Sequence, residues 1–198
     1  MTSEQIDAPP RLIVLAGPTA VGKGTIEAEL KRRHPDLYIS VSATTRPPRP
    51  GEIDGQHYHF LSSEEFERLI AQGQMLEWAV VHKVHKYGTL RGPIDQILAA
   101  GKPALLEIDL DGARQVRQAM PEALQVFVAP PSWEELVSRL RGRGTEDVGE
   151  QERRLETARV EMAAADEFDV VLVNDSVARA TDELEELLGL TSYDKESY

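Results

Sequence analysis

The stretch GPTAVGKGT, residues 17–25, decides the fold because it joins an apolar run to a helical pattern. RLIVLA precedes it with the composition of a buried strand, and IEAELKRR follows it with the spacing of a helix. Gly17, Gly22 and Lys23 satisfy the pattern G-x-x-x-x-G-K. Such a loop presents backbone N–H groups and a helix N-terminus to phosphate, while its lysine reaches the terminal phosphates. The order of strand, loop and helix therefore predicts a phosphate-binding loop.

The residue after Lys23 departs from the usual pattern of such loops. It is Gly24 rather than Ser or Thr, and the hydroxyl follows one place later, at Thr25. We therefore expect Mg²⁺ to be held through water and the phosphates of the nucleotide. Asp109 ends the apolar run KPALLEID and is predicted to lie in the outer shell of the metal, since parallel sheets place ligand sites at the carboxyl ends of strands. The alternative is that this aspartate only caps the next helix.

Four apolar runs indicate the strands of a parallel sheet covered on both faces. They are RLIVLAG (11–17), KPALLEID (102–109), LQVFVAP (124–130) and DVVLVN (169–174). Helical patterns separate them: Ser62 with Glu65, and Ser132 with Glu135, each fit a capping box before an apolar-periodic segment. A later segment carries one apolar stripe formed by Leu155, Ala158, Met162 and Ala165. These patterns predict an α/β core with crossover helices.

Two segments interrupt the alternation of predicted strands and helices. Residues 40–91 are rich in Pro, Gly and aromatic residues and contain MLEWAVV, which indicates an exposed-edge strand, so they predict an inserted lobe with a small mixed sheet. The polar, Gly-containing segment SRLRGRGTEDVGEQE predicts a mobile surface segment, named the lid, between two helices. The predicted division is a core of residues 11–39, 92–137 and 155–190, a lobe of 40–91, a lid of 138–154, and flexible tails of 1–10 and 191–198.

Composition limits the classes of function. The chain has 198 residues, 41% of them hydrophobic, and a formal net charge of −12, which disfavours nucleic acid and anionic membranes as partners. It contains no cysteine, so neither a disulfide framework nor a thiolate metal site is expected. MTSEQIDAPP lacks the basic and apolar regions of a secretory signal, and no apolar run approaches the roughly 18 residues of a membrane span. A cytoplasmic protein is the expectation.

Several motifs in sequence order carry a resemblance to a known family. They are the phosphate loop, S-x-T-T-R-x-x-R-x-G-E with a tyrosine six residues on, LEW, YGT, EID, PPS, RLRGRGT and VND. In this order they resemble the guanylate kinases over about residues 11–189. The resemblance implies a three-layer P-loop kinase core with a parallel sheet, an inserted lobe for the nucleoside monophosphate and a helical lid. It also implies Mg²⁺-dependent transfer of the γ-phosphoryl group of ATP to GMP, and to dGMP, in guanine nucleotide metabolism and GMP recycling.

The residue types of the lobe fit a monophosphate acceptor. Arg46 and Arg49 lie three residues apart in TTRPPRP, which contains no acid, and supply fork-shaped donors for a phosphate. The phenol of Tyr58 can add one more hydrogen bond. The alternative for the two arginines is a solvated surface, and for Tyr58 it is the core of the lobe.

The lobe also contains groups that can distinguish guanine from adenine. Guanine offers N1–H and an exocyclic amine beside the acceptor O6, so Glu77 can accept from both donors, while Ser42 and Thr89 can donate to O6. A polar site of this kind can reject a mismatched base by on the order of 10⁴-fold. The resemblance assigns the following residues to GMP: Ser42, Arg46, Arg49, Tyr58, Glu77, Tyr87, Thr89 and Glu107.

The resemblance also assigns the ATP site and the residues of catalysis. Phosphoryl transfer needs positioning and charge neutralisation, so no nucleophilic side chain is expected. The ATP residues are Gly17, Pro18, Thr19, Ala20, Val21, Gly22, Lys23, Gly24, Thr25, Arg139, Arg143 and Asn174, the last of these at the adenine. The catalytic residues are Lys23, Arg46 and the lid arginines Arg139, Arg143 and Arg154.

Three alternatives remain at this point. Another nucleoside monophosphate kinase, or a kinase of a phosphorylated sugar, would share the loop and the lid, and only Glu77, Ser42 and Thr89 argue for guanine. A non-catalytic peptide-binding module of a scaffold protein would resemble the same family, although the intact Gly22 and Lys23 argue against it. A regulatory nucleotide switch would have no use for a second lobe specific for a monophosphate.

Overall fold

The chain folds into two sheets with seven helices among residues 11–81, 83–141 and 148–190, which are the residues that the computed structural model describes. The strands are β1 (Leu12–Ala16), β2 (Tyr38–Ile39), β3 (Ala43–Thr44), β4 (His59–Phe60), β5 (Met75–Val81), β6 (His85–Leu90), β7 (Ala104–Glu107), β8 (Leu124–Ala129) and β9 (Val170–Val173). The helices are α1 (Lys23–Arg33), α2 (Ser63–Ala71), α3 (Arg91–Ala99), α4 (Leu110–Ala119), α5 (Trp133–Arg141), α6 (Val148–Ala163) and α7 (Val177–Leu188).

The larger sheet has five parallel strands in the order β2-β7-β1-β8-β9. β1 lies at its centre, and all five of its residues are buried. β7 and β2 lie on one side of β1, and β8 and β9 lie on the other. The loop after β1 therefore stands where the strand order reverses, which is the usual ligand position in open parallel sheets.

Helices cover both faces of this sheet. One apolar cluster packs α1, α5, α6 and α7 on one face through residues such as Leu30, Leu136 and Leu184. The other packs α3 and α4 on the opposite face through residues such as Ile94 and Val116. These layers confirm the predicted three-layer core, and because both faces are covered, the strands are near-continuous apolar runs.

The smaller sheet is mixed and has the strand order β4-β3-β6-β5. β3 pairs in parallel with β4, whereas β6 pairs antiparallel with both β3 and β5. Its strands all lie between residues 43 and 90, which confirms a mixed sheet inserted into the core, with β5 at one edge as predicted. The limits of the lobe, core and lid stay predictions. Leu76 of β5 packs with the cluster beneath α4, so the lobe stands over that side of the core.

The local signals in the sequence have mixed outcomes. Ser62 accepts a hydrogen bond from Glu65 N, and Ser132 accepts one from Glu135 N, both at 3.1 Å, so both helix starts are confirmed. The predicted stripe extends too far, because α6 ends at Ala163 and Ala165 already belongs to a 3-10 turn. Both predicted tails lie outside the described residues. Within the described part of the chain, no helix has the length and apolar character needed to cross a bilayer.

Candidate active site

The phosphate loop runs from the end of β1 to the start of α1, and its geometry requires two glycines. Gly17 has a φ of 144°, and a Cβ there would come within 2.4 Å of the carbonyl oxygen of Val128 on β8. Gly22 has a φ of 103°, and a Cβ there would come within 2.4 Å of Asn174 Nδ2. Both positions combine left-handed backbone with close neighbours, so a side chain is excluded. The loop therefore packs directly on the carboxyl ends of β8 and β9.

Lys23 begins α1, and its side chain folds back over the loop. Its Nζ donates a hydrogen bond to the carbonyl oxygen of Gly17 at 2.7 Å. Burial lowers the pKa of Lys23, whereas the carboxylates of Glu107, Glu161 and Asp109 act in the opposite direction. The site thus holds one partly buried ammonium among three acids. Such a cation can exchange a carbonyl oxygen for a phosphate oxygen without moving out of the loop.

Glu161 is a functional candidate that the sequence analysis missed. It lies on α6, and its Oε2 is buried with no hydrogen-bond partner among the described residues. Burial raises the pKa of Glu161, whereas the charge of Lys23 and the backbone amide of Thr19 lower it. A signal was available, because Arg154 lies seven residues earlier on the same helix. A spacing of seven residues places both side chains on one helical face.

Glu107 ends β7 and lies beside α1. Burial raises the pKa of Glu27 to about 7, and a hydrogen bond to Glu107 and the charge of Glu107 add to this effect. Glu27 is a second residue that the sequence analysis did not identify. The structure brings Glu107 to Lys23 and Glu27, on the side of the phosphate loop. Its contact with GMP stays a prediction.

Arg139 and Asn174 meet the phosphate loop at Val21. Arg139 Nη1 donates to the Val21 carbonyl oxygen at 3.1 Å, and its Nε donates to Glu135 at 3.1 Å. Asn174 is 3% exposed, and its Nδ2 donates to the same Val21 oxygen at 2.8 Å. Both side chains therefore fix the loop from the side of β9. In this structure the Asn174 amide bonds to the loop, and its predicted contact with adenine stays a prediction.

Glu77 and Thr89 face each other across β5 and β6. The register pairs them directly, and Thr89 Oγ1 donates to Glu77 Oε1 at 2.6 Å. Glu77 is only 8% exposed, so burial raises its pKa to about 7, against the hydrogen bond from Thr89 and together with the charge of Asp109. A hydroxyl carries one proton, so in this structure Thr89 has none left for guanine O6. The contacts of Ser42 and Thr89 with guanine O6 stay predictions.

Arg46 lies at the centre of an aromatic and acidic cluster in the lobe. Its guanidinium stacks over the ring of Tyr58 at 5.4 Å, and its Nε donates to Tyr87 Oη at 3.1 Å. The lack of an acid in TTRPPRP predicts arginines free of competing acids, and for Arg46 this prediction is wrong. Glu52, which follows Arg49 by three residues, takes two hydrogen bonds from Arg46 at 2.9 Å each. The turn between β3 and β4 folds the acid back, and adjacency in sequence could not show this.

The remaining predicted residues have different outcomes. Asp109 Oδ1 accepts from Gly112 N at 2.8 Å, so this aspartate caps α4, and a role in the outer shell of a metal stays a prediction. The described residues contain no group of three or more His, Cys, Asp or Glu side chains arranged to bind a metal ion. Ser42 is half-buried beside β3 in the lobe. Arg143 lies outside the described residues.

Comparisons with known proteins agree with this geometry. The profile of the family described as guanylate kinase matches residues 9–190. A guanylate kinase of Thermobifida fusca is 59% identical over 186 residues, which are 94% of this chain and 94% of that protein. A guanylate kinase of Leifsonia xyli is 58% identical over 177 residues, 89% of this chain and 70% of that protein. A crystal structure of guanylate kinase from Anaplasma phagocytophilum superimposes with a TM-score of 0.68 and 29% identity, covering 94% and 88% of the two chains.

Proposed function

This chain belongs to the guanylate kinase family, and from that premise we propose how its residues divide the work of phosphorylating GMP with ATP. The observation that carries the acceptor assignment is the buried Glu77 carboxylate, held by Thr89 within the lobe that also contains Arg46. A buried acid is costly unless a ligand or partner satisfies it. The two N–H donors of guanine supply such a partner, whereas adenine does not.

The phosphate loop binds the donor nucleotide. The backbone amides of residues 17–25 and the N-terminus of α1 surround the phosphates of ATP, and Lys23 contacts its β- and γ-phosphates. Arg139 and Asn174 support this arrangement through their bonds to Val21. A loop fixed in this way loses little freedom when ATP binds, so more of the binding energy is available for orienting the γ-phosphate.

The lobe binds both the guanine base and the phosphate of GMP. Glu77 accepts from N1–H and the exocyclic amine, and Ser42 donates to O6. Arg46 and Arg49 bind the phosphate of GMP, which Tyr58 and Tyr87 approach from the same cluster. The lobe then presents the acceptor phosphate to the γ-phosphate of ATP for in-line attack, with ADP and GDP as products. We assign no group to the 2′-hydroxyl of the ribose, and we expect dGMP to be accepted as well.

Positively charged side chains stabilise the transition state. We assign this role to Arg139, Arg143 and Arg154, which bind the phosphoryl group during its transfer, when its oxygens carry increased negative charge. Arg139 is already at the loop in the structure, through Val21. Closure of the lobe and lid over the substrates would also exclude water, which otherwise could accept the phosphoryl group.

Magnesium fits the site as an ion held mainly by the nucleotide. Gly24 supplies no side-chain oxygen, and Asp109 uses Oδ1 to cap α4, which leaves its Oδ2 for a metal-bound water. Mg²⁺ held there would supply positive charge that neutralises the phosphates of ATP. Because ATP and GMP are metabolites of the cell interior, we place the enzyme in the cytoplasm, in guanine nucleotide metabolism and GMP recycling.

Replacing Glu77 separates the two substrates. Glu77→Ala removes the acceptor for both guanine donors, so we expect KM for GMP to rise by on the order of tenfold or more while KM for ATP changes less than about twofold. Initial rates with each substrate varied in turn measure both constants. A parallel rise in KM for ATP would show that Glu77 supports the whole enzyme rather than the guanine pocket.

A further inference from the structure

Glu52 is an acid in the phosphate end of the lobe that the proposed function leaves without a role. It lies in the turn between β3 and β4, and its side chain is 17% exposed, beside an Arg46 side chain that is 11% exposed. Its Oε1 accepts from Arg46 Nη2 and its Oε2 from Arg46 Nη1, both at 2.9 Å. This two-point geometry is the most specific that an arginine and a carboxylate can form.

The same carboxylate also fixes the backbone of the second arginine. Glu52 Oε2 accepts from Arg49 N at 2.6 Å, and Glu52 N donates to the Arg49 carbonyl oxygen at 3.0 Å. Residues 49–52 thus form a closed turn with the carboxylate at its centre. Arg46 binds this centre with its side chain, and Arg49 with its main chain. The Arg49 guanidinium is exposed and makes no hydrogen bond or ion pair with any described residue.

The donors of Arg46 are almost all used within the lobe. A guanidinium has five N–H groups. Nε donates to Tyr87, one N–H of Nη1 donates to the Pro47 carbonyl oxygen at 2.7 Å, and two further N–H groups donate to Glu52. One N–H of Nη2 remains. The side chain is therefore locked in one orientation with a single donor left for an anion.

We propose that Glu52 is a positioning residue, which holds the Arg46 side chain and the Arg49 backbone in the geometry that binds the phosphate of GMP without itself contacting the nucleotide. The inference rests on the proposed function, because it presumes that these arginines bind the acceptor phosphate. The pairing also lowers the pKa of Glu52 to about 2, so the carboxylate stays charged at any working pH.

The direction in which Glu52→Gln changes GMP affinity distinguishes a positioning role of Glu52 from a simple effect of its charge. A carboxylate beside a phosphate site repels the phosphate, so Glu52→Gln makes the site more positive and, on charge alone, tightens GMP binding. The same tightening follows if Glu52 is a competitor that the phosphate displaces from Arg46. Positioning predicts the opposite, because glutamine has one acceptor oxygen in place of two and cannot keep all three bonds from Arg46 and Arg49. The guanidinium then gains freedom that binding must remove.

The experiment measures binding of GMP and of guanosine, which lacks the phosphate, by calorimetry on the full-length enzyme. For Glu52→Gln we expect GMP affinity to fall by about tenfold or more and guanosine affinity to change by less than about twofold. Glu65→Gln is the matched control, since Glu65 is an exposed acid of the same lobe paired with Arg68 at 3.3 Å. It should leave both ligands unaffected.

A double variant tests whether Glu52 acts through Arg46. Arg46→Ala should weaken GMP binding, and Glu52→Gln added to it should cost less than Glu52→Gln costs in the wild type, because only the Arg49 backbone is then left for Glu52 to position. Unchanged or tighter GMP binding by Glu52→Gln, full additivity in the double variant, or loss of guanosine binding together with GMP binding would each overturn the proposal. Unchanged GMP binding by Arg46→Ala would instead refute the phosphate site of the proposed function.

Discussion

Lowering the pH should weaken guanine binding through Glu77 itself. Its carboxylate is 8% exposed, and burial raises its pKa to about 7. The two guanine donors need the charged form, since a protonated carboxyl group has lost part of its acceptor capacity. An acid with a raised pKa gains a proton as the pH falls through that value. Guanine binding should therefore be strong above pH 7 and weaken below it.

The magnitude follows from the fraction of Glu77 that is charged. With a pKa of about 7, about nine tenths of the carboxylate is ionised at pH 8 and about one tenth at pH 6. If only the charged form binds, the affinity falls about tenfold between these two values. An ordinary glutamate, with a pKa of about 4.3, would give almost no change over the same interval.

Guanosine is the appropriate ligand because the phosphate of a nucleotide titrates near pH 6 and would add its own pH dependence. Calorimetry at pH 6, 7 and 8 with wild type and with Glu77→Gln gives the comparison. The variant should bind more weakly at pH 8 and show a flat profile, because an amide does not titrate. A flat profile for wild type, or equal slopes for wild type and variant, would refute the assignment of the titrating group to Glu77.

Four further predictions test other parts of the site. Discrimination against AMP should fall from pH 8 to pH 6, since protonated Glu77 can donate to adenine N1; acceptor rates at both values measure it. Lys23→Ala should lower kcat by about 10²-fold or more in ADP-formation assays. Gly24→Ser should lower the Mg²⁺ concentration for half-maximal rate, because a Cβ there has no neighbour within 4 Å and the hydroxyl can bind the ion. Gly112→Ala should raise KM for GMP by a few fold, since its Cβ would lie 3.3 Å from Glu77 Oε2, whereas Gly92→Ala, with open space in another helix, should not.

The sequence predicted the parts of the fold that depend on local patterns. The loop after β1 was predicted from the G-x-x-x-x-G-K spacing between an apolar run and a helical pattern. This prediction was possible because a strand-to-helix turn with required glycines depends on residues that are adjacent in the sequence. The capping serines located two helix starts for the same reason. β2 escaped notice because two residues, Tyr38 and Ile39, are too short for a periodicity to show.

The parts of the site that escaped prediction depend on contacts between distant segments or on turns. Glu161 reaches Lys23 only once α6 packs beside the phosphate loop. Its place on the same helical face as Arg154 marks it as a candidate but does not reveal the contact with Lys23. Glu52 is the last residue of the S-x-T-T-R-x-x-R-x-G-E motif. Its pairing with Arg46 depends on the turn of residues 49–52, which brings its carboxylate back to the arginine side chain. The direction of the Thr89 hydroxyl likewise depends on the register that sets it opposite Glu77.

The most direct measurement is ADP formation from Mg-ATP with GMP, AMP, CMP, UMP or no acceptor, assayed in parallel on the same enzyme. We predict ADP formation that depends on GMP and is close to background with the other three nucleotides and without acceptor. This result would show that the phosphate loop and the guanine pocket work together. Equal ADP formation with another monophosphate, or none with GMP, would contradict the assignment of Glu77 and Lys23 to one phosphoryl-transfer site.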